Sequence, residues 1–83
     1  MARRPAPTPE DVEAMRAEMR RTEHELEDAK LAYYNSTEYR GELMNYEVLK
    51  RYAESFIAAN HAVQKALYGR IRIRLDVSRL LRE

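Results

Sequence analysis

The sequence contains no cysteine and no tryptophan, and it has only two glycines in 83 residues. Without cysteine the chain forms neither a disulfide nor a thiolate metal site, and this composition fits a reducing compartment. Two glycines are too few for a glycine-rich loop that binds phosphate. No apolar run approaches the roughly 18 residues of a membrane span, and the first residues show no apolar signal-peptide core. We therefore expect a cytoplasmic protein with no membrane partner.

The net charge is also close to zero, because the chain has 15 basic and 14 acidic residues. The basic excess is local: residues 65–83 contain six basic and two acidic side chains. If this segment is extended, Arg70, Arg72 and Arg74 form a one-sided row that is a candidate polyanion-binding site. The alternative is that the row only keeps an exposed strand soluble. With Asp76 beside it, the row gives only weak support for nucleic-acid binding.

The short chain length limits how the protein reaches stability. A lone chain of this size buries only about 60–65% of its unfolded surface. Two helices cannot surround a core, since each has one apolar stripe and a single neighbour to cover it. Association is the usual solution for a small scaffold without disulfides or metal. The length therefore predicts a homo-oligomer or a protein partner.

The first half of the chain predicts a tail followed by an amphipathic helix. Three prolines, at positions 5, 7 and 9, exclude a helix before Thr8, so we expect residues 1–7 to be a disordered tail. Thr8 can cap the helix, Pro9 suits its first position, and acidic residues follow at once. The predicted apolar seam has heptad spacing and comprises Val12, Met15, Met19, Thr22, Leu26, Ala29 and Tyr33.

Residues 35–37 (Asn-Ser-Thr) interrupt this pattern and predict a short turn. Asn35 tolerates the left-handed conformation that ends a helix, and Ser36 or Thr37 can cap the next one. The second helix is then predicted over residues 38–68, antiparallel to the first. Its predicted seam comprises Tyr39, Leu43, Tyr46, Leu49, Ala53, Phe56, Asn60, Val63 and Leu67, with Phe56 at the centre. A second row widens the apolar face: Met44, Val48, Tyr52, Ile57, Ala59 and Ala66.

That wide face is more than one thin helix can cover, and it predicts a further contact with another chain. Asn60 lies on the seam, where a buried asparagine would specify register and oligomeric state. Alternatively the seam rotates and Asn60 faces solvent. Four tyrosines near the turn pack at the hairpin tip or form an interaction hot spot, and both readings stay open.

The last segment, residues 69–83, changes period. Gly69 is a plausible helix end, and charged and apolar residues then alternate up to Val77. As a strand, this segment places Ile71, Ile73, Leu75 and Val77 on one face, which favours a strand or extended arm over continued helix. A lone strand cannot satisfy its own backbone, so a strand here would have to pair with another chain.

No group of residues predicts catalysis. His24 and His61 lie on different helices and too far apart for one metal, and no Glu-x-x-His pair supports a di-iron site. The serines have no suitably spaced histidine. We therefore expect a non-enzyme without catalytic residues, metal, cofactor or small-molecule substrate.

Together these observations predict an all-α fold: an antiparallel, coiled-coil-like two-helix hairpin over residues 8–68 with a short extended or strand-like C-terminal arm. The expected function is that of a structural or adaptor protein that self-associates or docks into a larger assembly. The alternative is a small regulator that binds nucleic acid or a transcription component through its basic C-terminal segment. The predicted interface comprises Tyr46, Leu49, Tyr52, Phe56, Ile57, Asn60, Val63, Leu67, Ile71, Ile73, Leu75 and Val77.

Overall fold

A computed structural model describes residues 7–35, 38–39 and 42–81 of the chain. Its elements are α1 (Pro9–Tyr34), β1 (Glu38–Tyr39), β2 (Glu42–Leu43), α2 (Tyr46–Tyr68) and α3 (Val77–Leu80). The two long helices pack against each other as a hairpin, and the molecule measures 50 × 23 × 20 Å. The all-α hairpin that the sequence predicts is confirmed.

Helix α1 begins where the sequence predicts. The Thr8 hydroxyl accepts a hydrogen bond from the Asp11 amide at 3.1 Å, and the Asp11 carboxylate accepts one from the Thr8 amide at 3.2 Å. This reciprocal capping box satisfies two amides that have no partner inside the helix. Pro9 follows the cap, where its missing N–H costs nothing. Of the predicted tail, only Pro7 lies within the described residues.

The connection between the long helices differs from the prediction. Helix α2 begins at Tyr46 rather than at residue 38, and β1 and β2 form a short antiparallel pair before it. Asn35 ends α1 with φ of −96°, so it does not adopt the left-handed conformation. The start of α2 is instead set by Asn45, whose side-chain oxygen accepts from the Val48 amide at 3.0 Å. The predicted caps Ser36 and Thr37, and the side chains of Tyr39 and Leu43, lie outside the described residues.

The core lies between the helices and is built largely from small side chains. Ala29 of α1 and Leu49 and Ala53 of α2 are completely buried. Alanines at these positions let the helix backbones approach closely, so one leucine layer fills the gap. Thr22 is also buried, and its hydroxyl donates to the backbone carbonyls of α1 one turn earlier. The predicted α1 seam is therefore correct at its centre.

The sequence suggested that Phe56 lies at the centre of the core, and in the structure it does not. It is half-buried and packs against the edge of the cluster formed by Leu26, Ala29, Leu49 and Ala53. The true centre lies one to two turns earlier on α2, around Leu49 and Ala53. The reason is the shorter helix: without residues 38–45, the paired part of α2 starts close to Leu49.

The C-terminal arm, residues 69–81, turns back along α2 and is not a strand. Gly69 ends α2 with φ of +77°, the left-handed conformation that the sequence predicts for it. Residues 70–76 are irregular, and a short α3 follows, capped by the Asp76 side chain, which accepts from the Arg79 amide at 2.9 Å. The last described residue of the arm, Leu81, is buried in the core between the two helices. It therefore acts as a third layer over the hairpin.

Candidate docking site

Gln64, on the C-terminal half of α2, holds the start of the arm. Its side-chain oxygen accepts from the amides of Arg72 and Ile73, both at 2.8 Å. Its side-chain nitrogen donates to the carbonyl of Ile73 and to the side-chain oxygen of Asn60, both at 2.7 Å. All the principal hydrogen-bonding positions of this buried amide are thus used. Three backbone groups that a strand would have paired with another chain, the amides of Arg72 and Ile73 and the carbonyl of Ile73, are satisfied within this chain.

Asn60 and His61 extend this network on both sides. Asn60 is half-buried, and its nitrogen lies 3.4 Å from the Met19 sulfur of α1, so it bridges the two long helices. This resolves the sequence-based alternative for Asn60 in favour of the interior side. His61 accepts the Leu75 amide on its Nε2 at 3.0 Å, which requires the tautomer with the proton on Nδ1. The backbone of the arm at Arg72, Ile73 and Leu75 is therefore tied to His61 and Gln64, one turn apart on α2.

The far end of the arm is held by apolar contacts and one tyrosine. Val77 and Leu80 pack against the buried cluster that includes Leu49 and Leu81. The hydroxyl of Tyr34, at the end of α1, donates to the carbonyl of Leu81. Leu81 is thus fixed at the hairpin tip, while Gly69 lies at the opposite end. The arm runs antiparallel to α2 over most of that helix.

Apolar side chains are exposed where the arm leaves α2. Leu67, Tyr68 and Ile73 are 41%, 54% and 66% exposed, and they flank Gly69 in sequence. We call these three residues the hinge patch. Beside it lies a groove of about 450 Å³ between α2 and the arm, lined by Asn60, Gln64, Tyr68, Arg72, Ile73 and Leu75. The guanidinium of Arg72 lies over the Tyr68 ring, 5.1 Å from its centre, so part of this surface is already ordered.

The predicted interface residues fall into three groups. Leu49 and Val63 are buried in the fold itself, and Val77 packs on the same core, so these three face their own chain. The half-buried residues are Tyr52, Phe56, Ile57, Asn60, Ile71 and Leu75. Only Tyr46, Leu67 and Ile73 of the predicted set are exposed. Val77 thus packs against its own chain, whereas Ile73 is exposed. That residues 71–77 bury an apolar face against another chain stays a prediction.

Arg70, Arg72 and Arg74 are all exposed, as a polyanion-binding row requires. They do not form a strand face, because the backbone from 70 to 76 is irregular. The guanidinium of Arg72 points back to Tyr68. The row is thus a cluster of exposed charge rather than a regular ladder.

Tyrosines meet at the hairpin tip, as the sequence suggested. Tyr33 contacts Tyr34 edge-on with ring centres 5.2 Å apart, and it lies 6.3 Å from the Tyr46 ring. Tyr34 and Tyr46 are 39% and 47% exposed, and Leu31 beside them is 61% exposed. This second, smaller exposed group lies at the end of the molecule opposite to the hinge patch.

The exposed side of α1 carries ion pairs within the helix. Arg21 contacts Glu18 and Glu25 at 2.9 and 2.8 Å, one turn away on each side. The hydrogen bond from Arg21 lowers the pKa of the Glu18 carboxyl, and the same bond raises the pKa of Arg21. Both side chains are about half exposed to solvent, so these pairs add little stability. Within the described residues, no group of three or more acidic or histidine side chains is arranged to hold a metal ion.

No described helix is long and apolar enough to cross a membrane. The sequence reasoning missed Gln64, which holds the arm, and Asn45, which starts α2. Asn45 had a local signal, since asparagine is a preferred helix cap. Gln64 had none, because its partners lie eight and nine residues further along an irregular segment. Comparisons with protein-family models, with curated proteins and with solved structures found no match to this chain.

Proposed function

We propose that this chain is a non-catalytic structural or adaptor protein of the cytoplasm. It acts by associating with protein, either with a second copy of itself or within a larger assembly. The hinge patch supports this proposal most directly: three large apolar side chains near Gly69 are exposed, and two of them, Tyr68 and Ile73, line the same groove. Exposed apolar groups beside polar residues mark interaction sites, and Arg72 lines this groove as well.

The composition of the patch suits a protein partner. Tyrosine and arginine are enriched where interfaces gain most of their binding energy, and here Arg72 already stacks on Tyr68. Ile73 contributes its backbone to the Gln64 network, so the backbone that carries its exposed side chain is held in place. A backbone that is already ordered loses less conformational entropy on binding. The cysteine-free composition supports a reducing compartment.

Two substitutions test this proposal. Ile73→Asp places a charge in the patch, and because the side chain is 66% exposed, the monomer should fold normally. We expect it to weaken self-association, measured by sedimentation equilibrium at micromolar concentration, by at least about tenfold. Arg72→Ser, one residue away and also exposed, should have a much smaller effect. A wild-type chain that remains monomeric throughout the concentration range would contradict self-association.

A second candidate function is nucleic-acid binding through the basic segment, favoured by the exposure of Arg70, Arg72 and Arg74. Arg72→Ser and the uncharged Ile73→Ser separate the candidates: phosphate binding would be weakened by Arg72→Ser and hardly changed by Ile73→Ser, whereas an apolar protein interface would be weakened mainly by Ile73→Ser. Salt provides an independent measurement. Binding through phosphate contacts falls steeply as salt rises, whereas an apolar protein interface does not weaken in this way.

A further inference from the structure

The arm is attached to the hairpin through a site that binds both its backbone and its apolar side chains. Gln64, His61 and Tyr34 supply side-chain hydrogen bonds to arm backbone groups. Val77, Leu80 and Leu81 fill an apolar slot between the long helices. Each of these contacts joins residues 71–81 to the hairpin. The hairpin therefore carries a built binding site, and the occupant that fits it is an arm of this same sequence.

The link between hairpin and arm is a single reversal at Gly69. Its φ of +77° is what sends the chain back along α2. A Cβ atom added there would meet nothing within 4 Å, so the position is constrained by backbone conformation and not by close packing at Cβ. If this residue takes an extended conformation instead, the arm projects away from its own α2. An identical slot on a second copy then offers it the same contacts.

We propose that two copies exchange their arms, each arm occupying the Gln64 site and apolar slot of the partner. This inference rests on the proposed self-association and names its geometry. An exchanged dimer keeps every arm contact of the closed chain, so exchange itself costs little free energy. The dimer is then stabilised by new contacts at the place where the two chains cross. The hinge patch supplies them: Leu67 and Tyr68 precede Gly69, and Ile73 follows four residues later. In an exchanged dimer the two hinges lie side by side, so their patches bury each other.

The exchange is tested on the intact chain by mixing isotope-labelled and unlabelled copies. In the dimer, isotope-filtered nuclear Overhauser spectra should show contacts between Leu81 or Val77 of one copy and Leu49 of the other. A dimer in which these contacts are found only within one chain would overturn arm exchange and leave the proposed function standing. A chain that stays monomeric would overturn arm exchange together with the self-association on which it rests, and would leave only docking on a different protein.

Two hinge variants give an independent measurement. Gly69→Val disfavours the left-handed turn, whereas Gly69→Asn adds a side chain that tolerates it. Since exchange would relieve this strain at two hinges per dimer, we expect Gly69→Val to raise the association constant at least about tenfold over Gly69→Asn. Helix content measured by circular dichroism should stay unchanged, because the added group meets no neighbour. Equal association constants for the two variants would contradict the proposal.

Discussion

Replacing Gln64 with alanine should release the arm while the hairpin stays folded. The substitution removes three hydrogen bonds to the arm backbone, two to amides and one to a carbonyl. Each such bond contributes a net of about 0.5–1.5 kcal/mol, so we expect a loss of about 2–4 kcal/mol in arm docking. Alanine is a slightly better helix former than glutamine, so the loss cannot come from α2 itself. Once the arm opens, water can hydrogen-bond to the backbone groups that Gln64 had bound. The loss of free energy is therefore limited to the docking of the arm.

Native-state amide exchange measures this effect at the arm. The amides of Leu80 and Leu81 bond within α3, at 3.2 and 3.0 Å, so their protection reports whether the arm is docked. A loss of this size corresponds to roughly 30- to 1000-fold faster exchange at these two amides. Lys65→Ala, at the neighbouring exposed position, is the matched control and should leave both amides protected. Less than about threefold acceleration in Gln64→Ala would refute the view that Gln64 holds the arm.

The core and the helix cap give two further predictions. Leu49→Ala, at a fully buried site, should lower the free energy of unfolding by about 2–5 kcal/mol in urea titrations. Leu31→Ala, at a site that is 61% exposed, is the control and should change the free energy of unfolding by less than about 0.5 kcal/mol. Phe56→Ala should cost less than Leu49→Ala, and the reverse order would restore Phe56 to the centre of the core. Thr8→Ala should cost about 1 kcal/mol through loss of the capping box, seen as a lower melting temperature. Thr8→Ser keeps the hydroxyl, so its melting temperature should stay near that of the wild type. Equal losses in the two variants would exclude the cap as the cause.

The start of α1 and its apolar seam were predictable because both depend on neighbours in sequence. A cap needs only the next three residues, and a seam needs only the 3.6-residue period. The residues from Thr8 to Asp11 and the spacing of Thr22, Leu26 and Ala29 contain that information. The same holds for Gly69, where the end of the helical pattern coincides with the residue that best tolerates a left-handed conformation.

The start of α2 was predicted too early because the apolar spacing continues from Tyr39 through Leu43 to Tyr46. A helical period is compatible with those positions, but it does not require a helix there. The structure pairs β1 with β2 instead and starts the helix at the Asn45 cap. An eight-residue shift in the start of α2 also moved the centre of the core from Phe56 to Leu49.

The path of the arm was decided only by the tertiary structure. The alternation of charged and apolar residues from Arg70 to Val77 is a local signal for a strand, and local signals cannot show which distant group satisfies a backbone amide. Gln64 and His61 satisfy those amides from eight to fourteen residues away. The sequence by itself thus determined that two amphipathic helices pair and that the last segment leaves them at Gly69. The path of that segment depends on side chains of α2 that form the hydrogen bonds a neighbouring strand would otherwise provide. These partners become visible only when the helix and the arm are placed in space.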